Sequence, residues 1–147
     1  MIREVQFSGV PERRELTAYV LCLTLHRCLP NGMIRKGNVI SPAASERMCR
    51  NLIRIYFDWE ALSQIPPFMQ VASKSGAVDA ARSEVVLVNA PHGDYVFCIA
   101  TKNQKDISWN QQNEGYRLIR NVSALLWSYF EPGSKWKPAA GVEKYAE

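Results

Sequence analysis

The chain lacks the sequence patterns that mark metal sites, disulfide frameworks and membrane spans. Four cysteines occur without CxxC spacing and stand among apolar residues, as buried side chains do: Cys22, Cys28, Cys49 and Cys98. Cys22 and His26 lie one helical turn apart, but no second pair of ligands accompanies them. We therefore expect no metal and no cofactor. No apolar run reaches the roughly 18 residues of a membrane span.

Positive charge is not concentrated anywhere along the chain. The sequence has 18 Lys and Arg against 14 Asp and Glu, a net charge of +4, and the basic residues are scattered with acidic ones nearby. Nucleic-acid-binding domains instead carry a basic stripe, often interleaved with aromatic residues. We expect a solvated surface and no nucleic-acid partner. Residues 1–4 also lack the basic and then apolar profile of a secretory signal, so the sequence does not fix the compartment.

The composition is that of one packed domain. Apolar residues make up 47% of the 147 positions and charged residues 22%, which are ordinary values for a globular protein. A chain of this length can bury about 70% of its unfolded surface. We predict a folded domain over residues 1–133 and an irregular tail over 134–147, where periodicity ends.

Two helices are predicted in the first half of the chain. An apolar pattern of helical spacing runs from Pro11 until the Pro30-Asn31-Gly32 turn stops it. A second helix begins at Ser41-Pro42, with serine as the cap and proline at the first helical position.

The middle of the chain changes to the pattern of strands and turns. Two stretches rich in β-branched and aromatic residues, 83–89 and 95–100, lie on either side of the Pro91-His92-Gly93 turn. With the extended stretch 68–77 around Lys74 before them, they predict an antiparallel sheet of three strands. Helical spacing returns from Trp109, with Ser108 as its cap. A wide apolar face then continues to Phe130: Leu118, Ile119, Val122, Leu125, Leu126, Tyr129 and Phe130. The fold class is therefore α+β, a three-stranded antiparallel sheet with a long C-terminal helix packed on it and two helices before it.

Lys74-Ser75-Gly76 is the part of the sequence that carries chemistry. Placed on an edge strand, it would present a cation, a hydroxyl and a position without a Cβ. By strand alternation, Lys74 and Gly76 share one face of the sheet and Ser75 lies on the other. A polar strand edge with a glycine kink would have the same sequence, so the triplet needs its neighbours to be interpreted.

Those neighbours resemble the C-terminal part of class A β-lactamases, within the penicillin-interactive serine hydrolases. The order of motifs over residues 16–130 carries the resemblance: Leu16-Thr17-Ala18, then Ile40-Ser41-Pro42, then Lys74-Ser75-Gly76-Ala77, a hairpin and a long helix. The resemblance implies a partial β-lactamase-like fold. It also implies an extracytoplasmic setting.

The resemblance assigns roles to five residues. Lys74 and Ser75 would hold the carboxylate of a β-lactam or of a peptidoglycan-like ligand, and Gly76 would let the substrate backbone approach. The Ala77 N–H would be a donor of the oxyanion hole. Arg82, near the start of the next strand, would add a second cation facing the same carboxylate.

The nucleophile of the family has no counterpart before Lys74. The family uses S-x-x-K on a buried helix together with an S-D-N type loop, both ahead of the lysine strand. In this sequence the formal S-x-x-K is formed by Ser134 and Lys137, in the tail. An oxyanion hole without a nucleophile does not support covalent catalysis.

Two hypotheses remain open from the sequence. The chain is either the C-terminal segment of a serine hydrolase that needs an N-terminal part for activity, or a non-catalytic binding or interaction module derived from that fold. Because the hairpin and helix of the family pack against N-terminal elements, an isolated segment would expose an edge strand and an apolar helix face. We expect self-association or binding to a complementary fragment.

Overall fold

The computed structural model describes residues 42–54 and 59–142. In chain order these residues form helix α1 (Pro42–Ile53), a 3-10 helix (Ala61–Gln64), strands β1 (Gln70–Val78), β2 (Ala81–Asn89) and β3 (Tyr95–Ala100), and helix α2 (Glu114–Phe130). The second predicted helix does begin at Pro42. The first predicted helix, from Pro11, and the Ser41 cap lie outside the described residues.

The predicted three-stranded antiparallel sheet is confirmed. Its order is β1-β2-β3, so β2 is central and β1 is an edge strand among the described residues. The connection from β2 to β3 contains Gly93 at a φ of 134°, a backbone conformation that favours glycine. The turn predicted at Pro91-His92-Gly93 therefore has the glycine where its backbone requires one.

The central strand is buried on both faces of the sheet. Val86 and Val88 join the core beneath α2, while Val85 and Leu87 join a smaller cluster with Leu52 of α1. Successive residues of a strand point to opposite faces, so a continuous buried run means that both faces are covered. Helix α2 lies over one face and α1 over part of the other.

The cap predicted for the last helix at Ser108 is wrong, and the helix begins later. The N-cap is Asn113, whose Oδ1 accepts from the Gly115 N–H at 2.9 Å. Asn113 Nδ2 also donates to the carbonyls of Asp106 and Ser108, at 2.8 and 3.0 Å. These bonds hold the preceding residues in a loop, because their carbonyls bind a side chain instead of a helix backbone.

The wide apolar face predicted for α2 divides in two. The buried side of the helix includes Tyr116, Ile119, Ser123 and Trp127, with Leu126 and Phe130 half-buried. The exposed side carries Leu118, Leu125 and Tyr129, with 46%, 68% and 59% of their surface accessible. A single helix face rests on the sheet, so the remaining apolar residues stay in solvent.

The segment after α2 forms no α-helix and no strand over its described part, residues 134–142. Trp136 and Pro138 nevertheless border a cleft of about 410 Å³, which Trp59 and Met69 also line. The division predicted after residue 133 stays a prediction. No described helix has the length and apolarity needed to cross a membrane.

Candidate functional site

The Lys74 triplet and Ala77 lie on the open edge of the sheet. Lys74, Gly76 and Ala77 are exposed and Ser75 is half-buried. We call residues 74–77 the β1 edge. Its position follows from the sheet order, because β1 pairs only with β2 among the described residues.

The N–H of Ala77 points away from the sheet at this edge. Its register partner is Arg82, whose N–H donates to Thr101 Oγ1 at 2.9 Å and whose carbonyl accepts from the Thr101 N–H at 2.8 Å. Both backbone groups of Arg82 are thus directed to the side opposite β1. In an antiparallel ladder, the Arg82 and Ala77 pair is then of the non-hydrogen-bonded type. The N–H and carbonyl of Ala77 face the open side.

The lysine gives independent support for this backbone pattern. Lys74 Nζ donates to the carbonyl oxygen of Ser75. Ser75 lies two residues from Ala77, so the same alternation directs its backbone groups outward. The ammonium group, the Ser75 backbone and the Ala77 N–H therefore lie along one open edge. Such an arrangement of donors suits an anionic or carbonyl-bearing ligand.

Gly76 leaves little space for a side chain. A Cβ at this position would lie 3.1 Å from Ser83 Oγ, on its partner strand, and Ser83 Oγ donates to the Gly76 carbonyl at 3.3 Å. A larger residue would have to displace Ser83. Packing against Ser83 is therefore a reason for the glycine, in addition to the close approach of a ligand expected from the sequence.

Arg82 does not face the β1 edge, contrary to the prediction from the sequence. Its side chain has 0% exposure, and its guanidinium donates to the carbonyls of Val78, Ala81 and Ser108, the last two at 2.9 and 2.6 Å. The rings of Trp109 and Tyr116 lie 4.8 and 4.7 Å from its Cζ atom. The register explains the error, because Arg82 pairs with Ala77 and so lies on the face opposite Lys74.

Two buried glutamates lie beneath the β1 edge, and the sequence reasoning missed both. Glu84 is 1% exposed and is the register partner of Ser75, while Glu60 is 6% exposed and precedes the 3-10 helix. Glu84 Oε2 accepts from the Ala61 N–H at 2.8 Å. The carbonyl of Ala61 in turn accepts from Ser123 Oγ of α2 at 2.7 Å. This part of the chain is thus fixed between β2 and α2.

Burial raises the pKa of both carboxyl groups. The pKa of Glu84 rises to about 8 because of burial and then of the nearby Glu60 charge. The pKa of Glu60 rises to about 7 because of burial, which outweighs the lowering effects of the contact with Glu84 and of the neighbouring cations. A signal for Glu84 existed in the sequence, because strand alternation places it on the same face as Val86 and Val88.

The formal S-x-x-K motif and His92 both lie outside the β1 edge. Ser134, Lys135 and Lys137, which belong to the formal S-x-x-K, are exposed in the segment after α2. His92 lies in the turn between β2 and β3, where its Nδ1 is 2.6 Å from Glu131 Oε2. No set of three His, Cys, Asp or Glu that could hold a metal occurs in the described part of the chain.

Comparison with known proteins places these features in a family. The sequence profile of the beta-lactamase enzyme family matches residues 10–130. The solved structure of PBP-A is similar with a TM-score of 0.57 and 19% identity, covering 76% of this chain and 37% of that chain. A variant of PBP-A was solved as an acyl-enzyme complex with penicillin-G. No curated protein matches the chain.

Two β-lactamases show the same likeness of fold. A class A β-lactamase from Mycobacterium abscessus has a TM-score of 0.55 and 16% identity, covering 78% of this chain and 40% of that chain. A β-lactamase from Chitinophaga pinensis has a TM-score of 0.56 and 19% identity, with the same two coverages of 78% and 40%. The chain spans two fifths or less of the length of these structures.

Proposed function

The chain belongs to the β-lactamase enzyme family, and from this premise we propose that it supplies the substrate-carboxylate and oxyanion edge of a serine hydrolase. In this proposal the nucleophile comes from an N-terminal part of the fold, so the chain is inactive alone and active when that part is added. The β-lactam or peptidoglycan-like carboxylate would meet Lys74 and Ser75. The Ala77 N–H would meet the developing oxyanion.

The open backbone of the β1 edge is the observation that carries this proposal. The N–H of Ala77 faces the open side of the sheet, on the same edge where the Lys74 ammonium contacts the Ser75 carbonyl. An oxyanion hole needs a fixed donor with no partner in the protein, and a donor of this kind contributes about 3 to 4 kcal/mol of transition-state stabilisation. Strand pairing with β2 fixes the position of this donor before any ligand binds.

Two further surfaces support the need for another part of the fold. Strand β3 has no partner on its outer side among the described residues. Leu118, Leu125 and Tyr129 form an exposed apolar stripe on α2 with helical spacing. A stripe and an open strand edge of this kind are typical of surfaces that another segment covers. The chain lengths agree with this, since the similar structures are about twice as long as this chain.

The first experiment tests for activity of the chain alone. We expect no hydrolysis of a chromogenic β-lactam, and no mass increase after incubation with penicillin-G by intact mass spectrometry. A stable adduct on any serine of this chain would contradict the proposal, because it would show a nucleophile within the chain.

The second experiment supplies the missing part. An N-terminal segment of a class A β-lactamase that contains S-x-x-K and S-D-N is co-expressed with the chain, and β-lactam turnover is measured. We expect turnover, with a loss of at least about tenfold in Lys74→Ala from the missing carboxylate contact. The matched control is Lys135→Ala, which removes an exposed lysine after α2 and leaves turnover unchanged.

A binding measurement separates the two hypotheses left open by the sequence. N-acetyl-D-alanyl-D-alanine is titrated into the isolated chain, and the Ala77 amide is followed by NMR. Binding that Lys74→Ala weakens, without turnover in any complemented sample, would favour a non-catalytic binding module. Absence of both binding and turnover would overturn the assignment of the β1 edge as a carboxylate site.

A further inference from the structure

Glu60 and Glu84 each have a buried carboxyl oxygen that makes no hydrogen bond. Glu60 Oε2, Glu84 Oε1 and Ser73 Oγ are all buried without a hydrogen bond of acceptable geometry, although the two carboxyl groups influence each other's pKa. Two carboxylate charges at this depth would repel each other and would lack solvation. A proton on one of them converts an acceptor into a donor. The arrangement therefore favours a pair that holds a proton.

Cations face this pair from three elements of the fold. Lys74 of β1, Arg82 of β2 and Arg120 of α2 each oppose the rise that burial causes in the pKa of Glu60. Burial, and to a smaller extent the Glu60 charge, raises the pKa of Tyr116. Both arginines donate to backbone carbonyls, Arg82 to that of Ser108 and Arg120 to that of Gln111, each at 2.6 Å. Lys74 differs from them because it is exposed at the β1 edge.

We propose that the Glu60 and Glu84 pair is a proton-controlled element beneath the β1 edge, and that losing its proton weakens the attraction of Lys74 for an anionic ligand. The consequence for binding rests on the proposed carboxylate site, whereas the proton-controlled pair itself does not. A carboxylate formed behind Lys74 offsets part of the positive charge that the edge presents to solvent.

The response of the two glutamates to deprotonation differs. The proton leaves to bulk water, and the pair gains one negative charge. The bond from the Ala61 N–H to Glu84 Oε2 becomes stronger when its acceptor is charged, because charge-assisted hydrogen bonds are the stronger class. Within residues 42–54 and 59–142 no backbone N–H donates to the Glu60 carboxylate, so the repulsion acts mainly on Glu60. Its neighbour Trp59, whose ring centroid lies 4.6 Å from that of Tyr116, would report the movement.

The Ala61 amide is a direct reporter of this equilibrium. Its proton bonds to Glu84, so its NMR chemical shift changes when the pair titrates. In the full chain, we expect the Ala61 amide to titrate between pH 7 and 8, the range that burial sets for the two pKa values. Coupled groups titrate as a pair, so the midpoint belongs to both residues. Absence of any titration of Ala61 between pH 6 and 9 would overturn the proposal.

Glu60→Gln tests the coupling between the carboxyl groups. This variant removes the like charge beside Glu84, so we expect the Ala61 midpoint to fall by roughly one pH unit or more. The control Asp79→Asn removes one charge from the exposed turn between β1 and β2 and should leave the midpoint in place. An unchanged midpoint in Glu60→Gln would show that the two groups do not share a proton.

The effect on ligands is measured separately, with N-acetyl-D-alanyl-D-alanine as the probe. We expect the affinity of the wild-type chain for this probe to fall about threefold or more from pH 6 to pH 9. In Glu60→Gln the affinity should change less over the same range, because the carboxyl group that interacts with Lys74 has been removed. Equal pH dependence in the two proteins would contradict the effect on Lys74. Failure of the probe to bind at any pH would count against the proposed carboxylate site alone, since the titration of Ala61 needs no ligand.

Discussion

Lys74 and Arg82 are two cations of the same hairpin in opposite environments. Lys74 is exposed at the open edge of β1, beside backbone groups that face away from the sheet. Arg82 is fully buried, donates to several carbonyls and lies close to the rings of Trp109 and Tyr116. The comparison shows that closeness in sequence to a candidate site is not enough for a basic residue to bind a ligand there. The residue must also lie on an accessible face of its strand, and its charged group must not already be enclosed by bonds to the protein. The following predictions test that contrast.

Arg82→Ala should have the largest effect on stability. It would leave the carbonyls of Ala81 and Ser108 without their donor and would open space beneath two aromatic rings. We expect a loss of about 3 to 5 kcal/mol in the free energy of unfolding, measured by urea denaturation. Arg82→Lys should restore little of it, because a lysine lacks the fork of donors that guanidinium provides. A loss below about 1 kcal/mol would contradict the structural role.

The carboxyl pair should make stability depend on pH in the alkaline direction. Burial raises the pKa of Glu84 from 4.5 to about 8, so the folded state binds more protons than the unfolded state between these values. The contribution of Glu84 to the free energy of unfolding should be largest below pH 4.5. It should decrease by on the order of a few kcal/mol as the pH rises to 8. Glu84→Gln should flatten that dependence in urea denaturation at pH 5, 7 and 9. A wild-type protein that gains stability over this range would contradict the prediction.

Gly115→Ala should disturb the Arg82 side of the comparison. A Cβ at Gly115 would lie 2.8 Å from Arg82 Cγ and 2.1 Å from Gln104 Nε2. Gln104 has a flexible end, but the stem of Arg82 is enclosed, so we expect a loss of about 1 to 3 kcal/mol by thermal or urea unfolding. Gly133→Ala is the matched control, because a Cβ there meets nothing within 4 Å. Equal effects of the two substitutions would show that the contact with Arg82 is not limiting.

Lys74→Ala should have the smallest effect on stability. The side chain is exposed, and among the described residues it donates to the neighbouring Ser75 carbonyl. We expect a change within about 0.5 kcal/mol of the free energy of unfolding, because surface substitutions of this kind remove little buried contact. The same variant should lose ligand affinity. A large loss of stability would place Lys74 with Arg82 among the structural cations.

Strand alternation and turn signals predicted much of the described fold. The apolar stretches on either side of Gly93 predicted β2 and β3, the stretch around Lys74 predicted β1, and Pro42 predicted the start of α1. These features depend on local backbone preferences. The predicted start of α2, at Ser108, was wrong. Asn113 caps the helix and also bonds to the carbonyls of Asp106 and Ser108, and these loop contacts depend on the folded chain.

The candidate site was predictable in part. The triplet at Lys74 identified the strand, but the direction of the Ala77 N–H required the contact between Arg82 and Thr101. Glu60 was not predictable as a partner of Glu84, because 23 residues separate Ala61 from Glu84 in their hydrogen bond and only folding brings the segments together. Register between strands and contacts between distant segments are tertiary properties.

The sequence by itself determined the family, the three strands and the position of Lys74-Ser75-Gly76 on one of them, since motif order and periodicity are written in neighbouring residues. The tertiary structure decided which of two cations stays open and which carboxyl groups meet. Arg82 is enclosed because pairing with Ala77 turns it toward α2, whereas Lys74 on the other face remains in solvent. The physical reason is that burial and charge interactions depend on distances in space, which pairing register and helix packing set.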